Sequence, residues 1–328
     1  MIEVAIVGAG QIGSRHLQAL AQLGRDARVS VVDPVAESLA TARGRFEEID
    51  SSDQIGGLAM YASVEDLPPK LDVAIVATSA NVRLQVVQEL LRAASVSHLV
   101  LEKVLVQRTT DLDELSSLVA TVPGGVWVNC PRRMFPVYQE LRDLLAAKAP
   151  LELTVEGGPW GIGCNGIHFL DLAAFLAADR LVSVDVSQID ADVHEAKRPG
   201  IKELTGTLVA DFEGATRVSM TAQQDAARPL VVAIRSHDGD VEVKVHEGER
   251  RLEYLSDSPA GVVKEHAIEF PYQSALTHRV VQDLCATGRC ELTPLAESIS
   301  LHRPLLRALH ELFAQLDPDH QLDYVPVT

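Results

Sequence analysis

What the 328-residue chain has little of narrows it first. Aromatic residues make up 4% of it, so aliphatic and alanine side chains must fill whatever core forms. There are four cysteines, Cys130, Cys164, Cys285 and Cys290. No two form a CxxC pair and none joins a histidine at zinc spacing, which excludes a zinc ribbon or a disulfide-stapled scaffold. Reduced thiols and no metal are the expectation. Positive charge is scarce: 29 Lys and Arg against 46 Asp and Glu give a formal net charge of −17. An acidic surface repels phosphate backbones, so nucleic acid is not an expected partner. A local arginine cluster can still hold an anionic small molecule. Long hydrophobic runs are missing too. The first apolar run, Val4 to Val7, passes straight into glycine with no basic segment before it. Neither a signal peptide nor a membrane span is expected there, and a cytoplasmic location is.

What is present reads as two domains, at residues 1–130 and 131–328. Residues 2–7, a β-branched run ending at Gly8, predict a buried parallel strand. Helical spacing follows over 12–23, then a strand over 28–33 closed by Asp33-Pro34. The segment 44–57 reads as loop and 58–62 as a short strand. LDVAIVATS at 71–79 echoes residues 2–10, with VAIV in the same place. Helix is predicted over 82–94 and 111–120, strand over 98–103 and 125–129. This alternation gives an α/β Rossmann domain with a doubly wound parallel sheet. After a helix over 136–148 the pattern changes. Alternating segments at 151–157, 182–193, 204–212, 216–223, 230–236, 241–247 and 251–256 predict a large open, mainly antiparallel sheet. Helices over 165–178, 274–287 and 294–316 complete an α+β second domain, and Pro304 should kink or split the last helix.

Gly8-Ala9-Gly10-Gln11-Ile12-Gly13 is a GxGxxG fingerprint in full context: strand before, helix after, and an acid, Asp33, twenty residues beyond the last glycine. Gly8 permits the tight turn, Gly10 the approach of a pyrophosphate, and Gly13 close helix–strand packing, with Gln11 and Ile12 inside the same turn. Asp33 either accepts a ribose 2′-hydroxyl or simply starts a turn before Pro34. In the first role it repels a 2′-phosphate by about 4 kcal/mol for unit charges about 4 Å apart at an effective dielectric of about 20. NAD rather than NADP is therefore the expected cofactor.

Three further segments carry a resemblance. Gly13 is followed by His16, the fifth strand ends in Glu102-Lys103, and the second half opens on a glycine-rich stretch leading to Gly166-Ile167-His168 and Asp171. Arg133-Met134-Phe135-Pro136 adds an Arg-Phe-x-Pro-like segment. Together they make the chain similar to the glucose–fructose oxidoreductase / inositol dehydrogenase / MocA family. The resemblance implies a nicotinamide cofactor on the Rossmann domain and a substrate against the open sheet, usually a sugar, cyclitol or nucleotide sugar. It implies Lys103 and His168 as catalytic residues, and it places Thr78, Asn81 and Glu102 with Lys103 at the cofactor. Homo-oligomers, dimers or tetramers, are common in the family. The chain departs from the pattern at Val104, where the family has Glu-Lys-Pro. It departs again at Arg83, where a histidine is usual, and at Cys164, where inositol dehydrogenases carry an acid.

Without the family the same residues stay open. Lys103 ends a parallel strand, where ligands bind, or is a solvated lysine paired with Glu102. His168 is a proton-transfer group or a core histidine; the glycines at 157, 158, 161, 163 and 166 leave room for a ligand beside it. Asp171 and Asn165, at i+3 and i−3, orient His168 or bind substrate hydroxyls; Asn165 equally fits a helix N-cap. Trp160 stacks on a sugar or base, or packs. Arg133, with Arg132 and Arg228, suits a substrate carboxylate or phosphate, or a solvated surface. The resulting expectation is hydride transfer between nicotinamide and a secondary alcohol or carbonyl carbon of a sugar, nucleotide sugar or related polyol. The rivals are a non-catalytic dinucleotide-binding sensor or assembly protein, and an enzyme using the cofactor transiently in a redox-neutral reaction.

Overall fold

The structure, a computed structural model, describes residues 1–24, 26–196, 198–225, 227–255, 264–316 and 322–328. The chain forms two compact units. The first comprises Met1–Val106, Thr110–Pro131 and Pro271–Ala296; the second comprises Gln107–Thr109, Arg132–Phe270 and Glu297–Thr328.

In the first unit β1 (Ile2–Val7), α1 (Gln11–Leu20), β2 (Ala27–Val32), α2 (Ala36–Glu47), β3 (Gly57–Tyr61), β4 (Lys70–Val76), α3 (Ala80–Ala93), β5 (Ser95–Leu101), α4 (Thr109–Val119) and β6 (Val126–Val128) alternate. Their sheet runs β6-β5-β4-β1-β2-β3, all parallel. The chain winds outward from β1 in one direction and then, at β4, in the other, so the switch point of the doubly wound fold lies between β1 and β4. The two VAIV runs pair there residue for residue: Val4 with Val73, Ala5 with Ala74, Ile6 with Ile75, Val7 with Val76. All eight are buried, as the continuous apolar runs require of strands covered on both faces. The helix α2 lies where 34–43 carried no prediction and 44–57 read as loop. Only Ala42 and Phe46 of it are buried, too few to mark a helical stripe.

In the second unit α5 (Pro136–Leu145) precedes β7 (Leu151–Gly157), α6 (Ile162–Ala177), β8 (Leu181–Glu195), β9 (Lys202–Phe212), β10 (Arg217–Ala222), β11 (Val231–Ser236), β12 (Glu242–His246), β13 (Arg251–Leu255) and β14 (Lys264–Ala267). The eight strands form one sheet in the order β14-β13-β12-β11-β7-β10-β9-β8, antiparallel except where β7 meets β10. The helix α6 packs against β7, β9 and β10 and against α5. Its near-continuous apolar sequence follows from that cover, and His168 and Asn165 are among its few half-exposed positions. The final predicted strand, 251–256, ends in the structure at Leu255; Ser256 lies outside the described residues.

After β14 the chain returns to the first unit. There α7 (Thr277–Thr287) packs against α1 and β4, and β15 (Thr293–Pro294) pairs antiparallel with β6. The contiguous second domain expected from sequence therefore gives up 271–296, because a two-residue strand leaves no periodic signal. The last helix, α8 (Leu295–Leu316), is not split at Pro304. Among the described residues no helix is long and apolar enough to cross a membrane.

Candidate functional site

The cradle at the head of α1 has the geometry its glycines require. Gly8 takes φ +99°, and a Cβ there would meet the backbone of Ala77 and Thr78 at 3.0 Å. A Cβ on Gly13 would stand 1.8 Å from the Gly8 carbonyl oxygen, whereas one on Gly10 would meet nothing within 4 Å. Gly8 and Gly13 are thus demanded by the protein itself, and Gly10 faces open space. No side chain caps the N-terminus of α1, so its first N–H groups point outward with the positive end of the helix dipole. An open glycine over uncapped N–H groups fits a pyrophosphate. Gln11 is exposed and Ile12 half-exposed at this mouth.

Asp33 stands one residue past β2. Its Oδ2 accepts from Ala9 N at 2.7 Å and its Oδ1 from Val35 N at 2.9 Å. The carboxylate both pins the glycine turn and starts the next turn, so the two readings of Asp33 coexist. A carboxylate has about four acceptor positions, which leaves capacity for ribose hydroxyls. Across the switch point, Thr78 lies beyond β4 with its hydroxyl oxygen buried and unpartnered among the described residues. Asn81, on the first turn of α3, is exposed and accepts from Ser79 Oγ at 2.6 Å.

Lys103 lies two residues beyond β5 and is half-exposed; its peptide bond to Val104 is cis. Its neighbour Glu102 is a correction to the sequence reading. Glu102 is 5% exposed, and its Oε1 meets His16 Nε2 at 2.9 Å and the Asn129 amide. His16 Nδ1 meets Thr277 Oγ1 at 2.8 Å, and Gln273 bonds both Asn129 and Thr277. This carboxylate is turned into the unit, where His16 and Asn129 engage it. It ties α1, β5 and the segment before α7 together. Sequence reasoning singled out His16 without a role and missed Asn129, Gln273 and Thr277. Their only signal is proximity that folding creates.

Burial works against the Glu102 charge, but the His16 bond and charge, the Asn129 donor and the nearby Lys103 charge outweigh it. The carboxyl is held below the usual range. The stability this provides is complete above the unfolded-state pKa of about 4.3 and is lost as pH falls through the lower folded value. Glu102→Gln is therefore expected to cost about 2 kcal/mol at neutral pH. The deficit against wild type should shrink as pH falls below about 4. Urea melts of both proteins across that range check it; a deficit independent of pH would mean that charge is not what Glu102 contributes.

In the second unit the N-cap of α6 is Gly161, in the left-handed region at φ +80°, and the Glu203 carboxylate accepts from Gly163 N at 3.2 Å. That carboxylate complements the helix dipole and was not picked out in the sequence. Asn165 is not the N-cap. Its amide donates to the Trp160 carbonyl at 2.8 Å, holding the turn before the helix. Trp160 donates through Nε1 to Thr221 O and packs edge-on against Phe169 at 5.2 Å. The indole is thus held by a hydrogen bond and a ring contact. The glycines also need correcting. A Cβ at 157, 161 or 163 would stand 3.1, 2.7 or 3.2 Å from Leu230, Glu203 or Val327 respectively, so these three positions allow close packing within the unit.

Asp171 and Arg133 are the largest correction. They face each other in the interior, with Arg133 Nε to Asp171 Oδ2 at 2.8 Å and Nη2 to Oδ1 at 2.7 Å. Arg133 also reaches Glu297 at 2.6 Å. Asp171 is 0% exposed, and its carboxylate is engaged by Arg133 in the interior rather than by solvent. Burial opposes the guanidinium charge, but Asp171 and Glu297 hold its pKa above the ordinary value. Arg132 is likewise engaged, bidentate with Glu247 and 4.2 Å from the Phe169 ring. Arg228 pairs with Glu156 on the surface. All four cysteines are free thiols, Cys130 and Cys164 buried. Among the described residues no group of three or more His, Cys, Asp or Glu could hold a metal ion.

Residues 2–130 match a family described as an oxidoreductase family with an NAD-binding Rossmann fold, Gfo/Idh/MocA. No curated protein matches the chain. Solved structures share its fold. UDP-N-acetylglucosamine 3-dehydrogenase GnnA from Acidithiobacillus ferrooxidans aligns with a TM-score of 0.71 at 16% identity, covering 94% of this chain and 96% of that one. Scyllo-inositol dehydrogenase from Lactobacillus casei, with bound NAD(H) and scyllo-inositol, aligns at 0.68 and 15% identity, covering 96% and 97%. An oxidoreductase from Agrobacterium radiobacter in complex with NAD+, L-tartaric acid and magnesium aligns at 0.70 and 14%, covering 95% and 96%.

Proposed function

From the match of residues 2–130 to the Gfo/Idh/MocA family of NAD-binding oxidoreductases, we propose that the chain transfers a hydride between a nicotinamide and a secondary alcohol or carbonyl carbon of a sugar, nucleotide sugar or related polyol. The observation that carries the reading is the cradle at residues 8–13, where Gly10 alone opens onto unfilled space above uncapped N–H groups. Bound there, the dinucleotide supplies the hydride acceptor or donor. The N–H groups at the head of α1 hold its pyrophosphate and Asp33 accepts a ribose hydroxyl, which favours NAD over NADP. Thr78 and Asn81 lie at the carboxyl end of β4, where such ligands bind. Lys103 donates to the substrate oxygen and stabilises negative charge developing on it. His168 takes up or returns the hydroxyl proton. The nucleotide-sugar and cyclitol dehydrogenases that share the fold support this substrate class. The same reading has copies associating through the open sheet, whose edge strand β8 is largely exposed over fifteen residues.

The test is a panel of sugars, cyclitols and nucleotide sugars, followed by nicotinamide absorbance, with NAD and NADP titrated separately. Turnover with NAD, and losses of about 10²-fold in kcat/KM for Lys103→Ala and for His168→Ala, are expected. Firm NAD binding with no turnover across the panel would favour a dinucleotide sensor. Tighter NADP binding would overturn the role of Asp33.

A further inference from the structure

We propose that Arg83 is the positioning residue for Lys103, a clamp on the chain just beyond the lysine that sets where its ammonium stands. The proposal rests on the reading of Lys103 as a catalytic residue. Arg83 lies on α3 and is 1% exposed, among the largest fully buried side chains of the protein. A buried guanidinium is costly unless its donors are used, and here both terminal nitrogens are used on backbone. Its Nη1 donates to the carbonyls of Val104 and of Leu105, the latter at 3.0 Å, and its Nη2 donates to the carbonyl of Thr78. These carbonyls lie past the ends of β4 and β5, where the sheet offers no partner, and a buried carbonyl must find one. The planar fork of arginine reaches several acceptors at fixed angles, which a lysine cannot do.

The consequence falls on Lys103. Val104 and Leu105 are both 0% exposed, and their carbonyls are tied to one rigid group, while Lys103 immediately before them is half-exposed. A half-exposed lysine is thus mounted on a fixed backbone, the arrangement a catalytic group needs to be held in place. The same guanidinium holds Thr78, so one side chain registers the segment beyond β4 against the segment carrying Lys103.

Two variants test it. Arg83→Met keeps the apolar stem and removes the donors; Arg83→Lys keeps the charge without the fork. Hydrogen exchange at the amides of 104–106 is measured by mass spectrometry, together with the pH dependence of Lys103 acylation by an amine-reactive ester; neither needs a substrate. Exchange should quicken about tenfold in Arg83→Met and by less in Arg83→Lys, with a displaced Lys103 acylation profile in both. Once turnover is found, kcat should fall about 10²-fold. Wild-type exchange and acylation in a folded Arg83→Met overturn the clamp. If that variant does not fold, wild-type values in Arg83→Lys overturn it. Faster exchange with undiminished kcat overturns the link to Lys103. Full turnover in Lys103→Ala instead overturns the catalytic reading of the lysine, and the exchange result still decides whether Arg83 clamps.

Discussion

Replacing Gly13 by alanine is expected to cost about 3 kcal/mol of stability and to abolish dinucleotide binding. The added Cβ would stand 1.8 Å from the Gly8 carbonyl oxygen and 2.9 Å from its carbon. Those are backbone atoms and cannot rotate away as a side chain would. Gly8 is itself held from both sides. Its N–H bonds to Val32 O at 2.8 Å, and a Cβ on it would meet the Ala77–Thr78 backbone at 3.0 Å. The methyl therefore pushes α1 off β1 or distorts the turn, and either movement spoils the cradle. Gly10→Ala is the control. Its Cβ enters open space at ordinary φ, so the melting temperature should stay within about 2 °C of wild type. Dinucleotide affinity should still fall, because the methyl occupies the volume a pyrophosphate needs. Thermal melts and fluorescence titrations with NAD separate the two variants. A stable Gly13→Ala, or a Gly10→Ala that binds as well as wild type, would contradict the assignment of these glycines.

Asp171→Ala is expected to destabilise the second unit by about 3–5 kcal/mol. The loss comes from what it strands. Arg133 is 6% exposed and places two charge-assisted bonds on Asp171. Without that carboxylate, Glu297, its side chain 39% exposed, is the carboxylate partner that remains to Arg133 among the described residues. Breaking one side of a buried pair leaves a desolvated charge behind, which costs more than the pair contributes net. Asp171→Asn keeps the shape and one acceptor and should lose less. Urea unfolding measures both. If Asp171→Ala were as stable as wild type and instead raised KM for a substrate, Asp171 would return to the substrate-binding set.

These two outcomes differ in how far the sequence alone could have announced them. Gly8, Gly10 and Gly13 interact within six positions, and the strand and helix flanking them follow from short apolar patterns. The VAIV echo also announced the pair of central strands, and the register bears that out. Elements without a pattern were not legible. The helix α2 buries too little, β14 is exposed throughout, and β15 has two residues. The polar residues were the least legible. Asp171 and Arg133 carry groups that suit a substrate, and their spacing of 38 positions says nothing of mutual contact. His16 and Glu102 are 86 apart, Asn129 and Gln273 are 144 apart, and they share one buried network.

The glycine cradle and the two-unit α/β then α+β order were determined by the sequence, because both arise from local backbone demands and from apolar periodicity that each segment carries within itself. Which charged groups remain available for chemistry was decided only by the tertiary structure. A carboxylate or guanidinium is reactive or inert according to what lies opposite it and how much water it keeps, and both depend on residues distant in the chain. That is why Glu102, Asp171 and Arg133 became interior partners, why Lys103 and His168 stayed half-exposed, and why Arg83, a departure in the sequence, is a clamp in the fold.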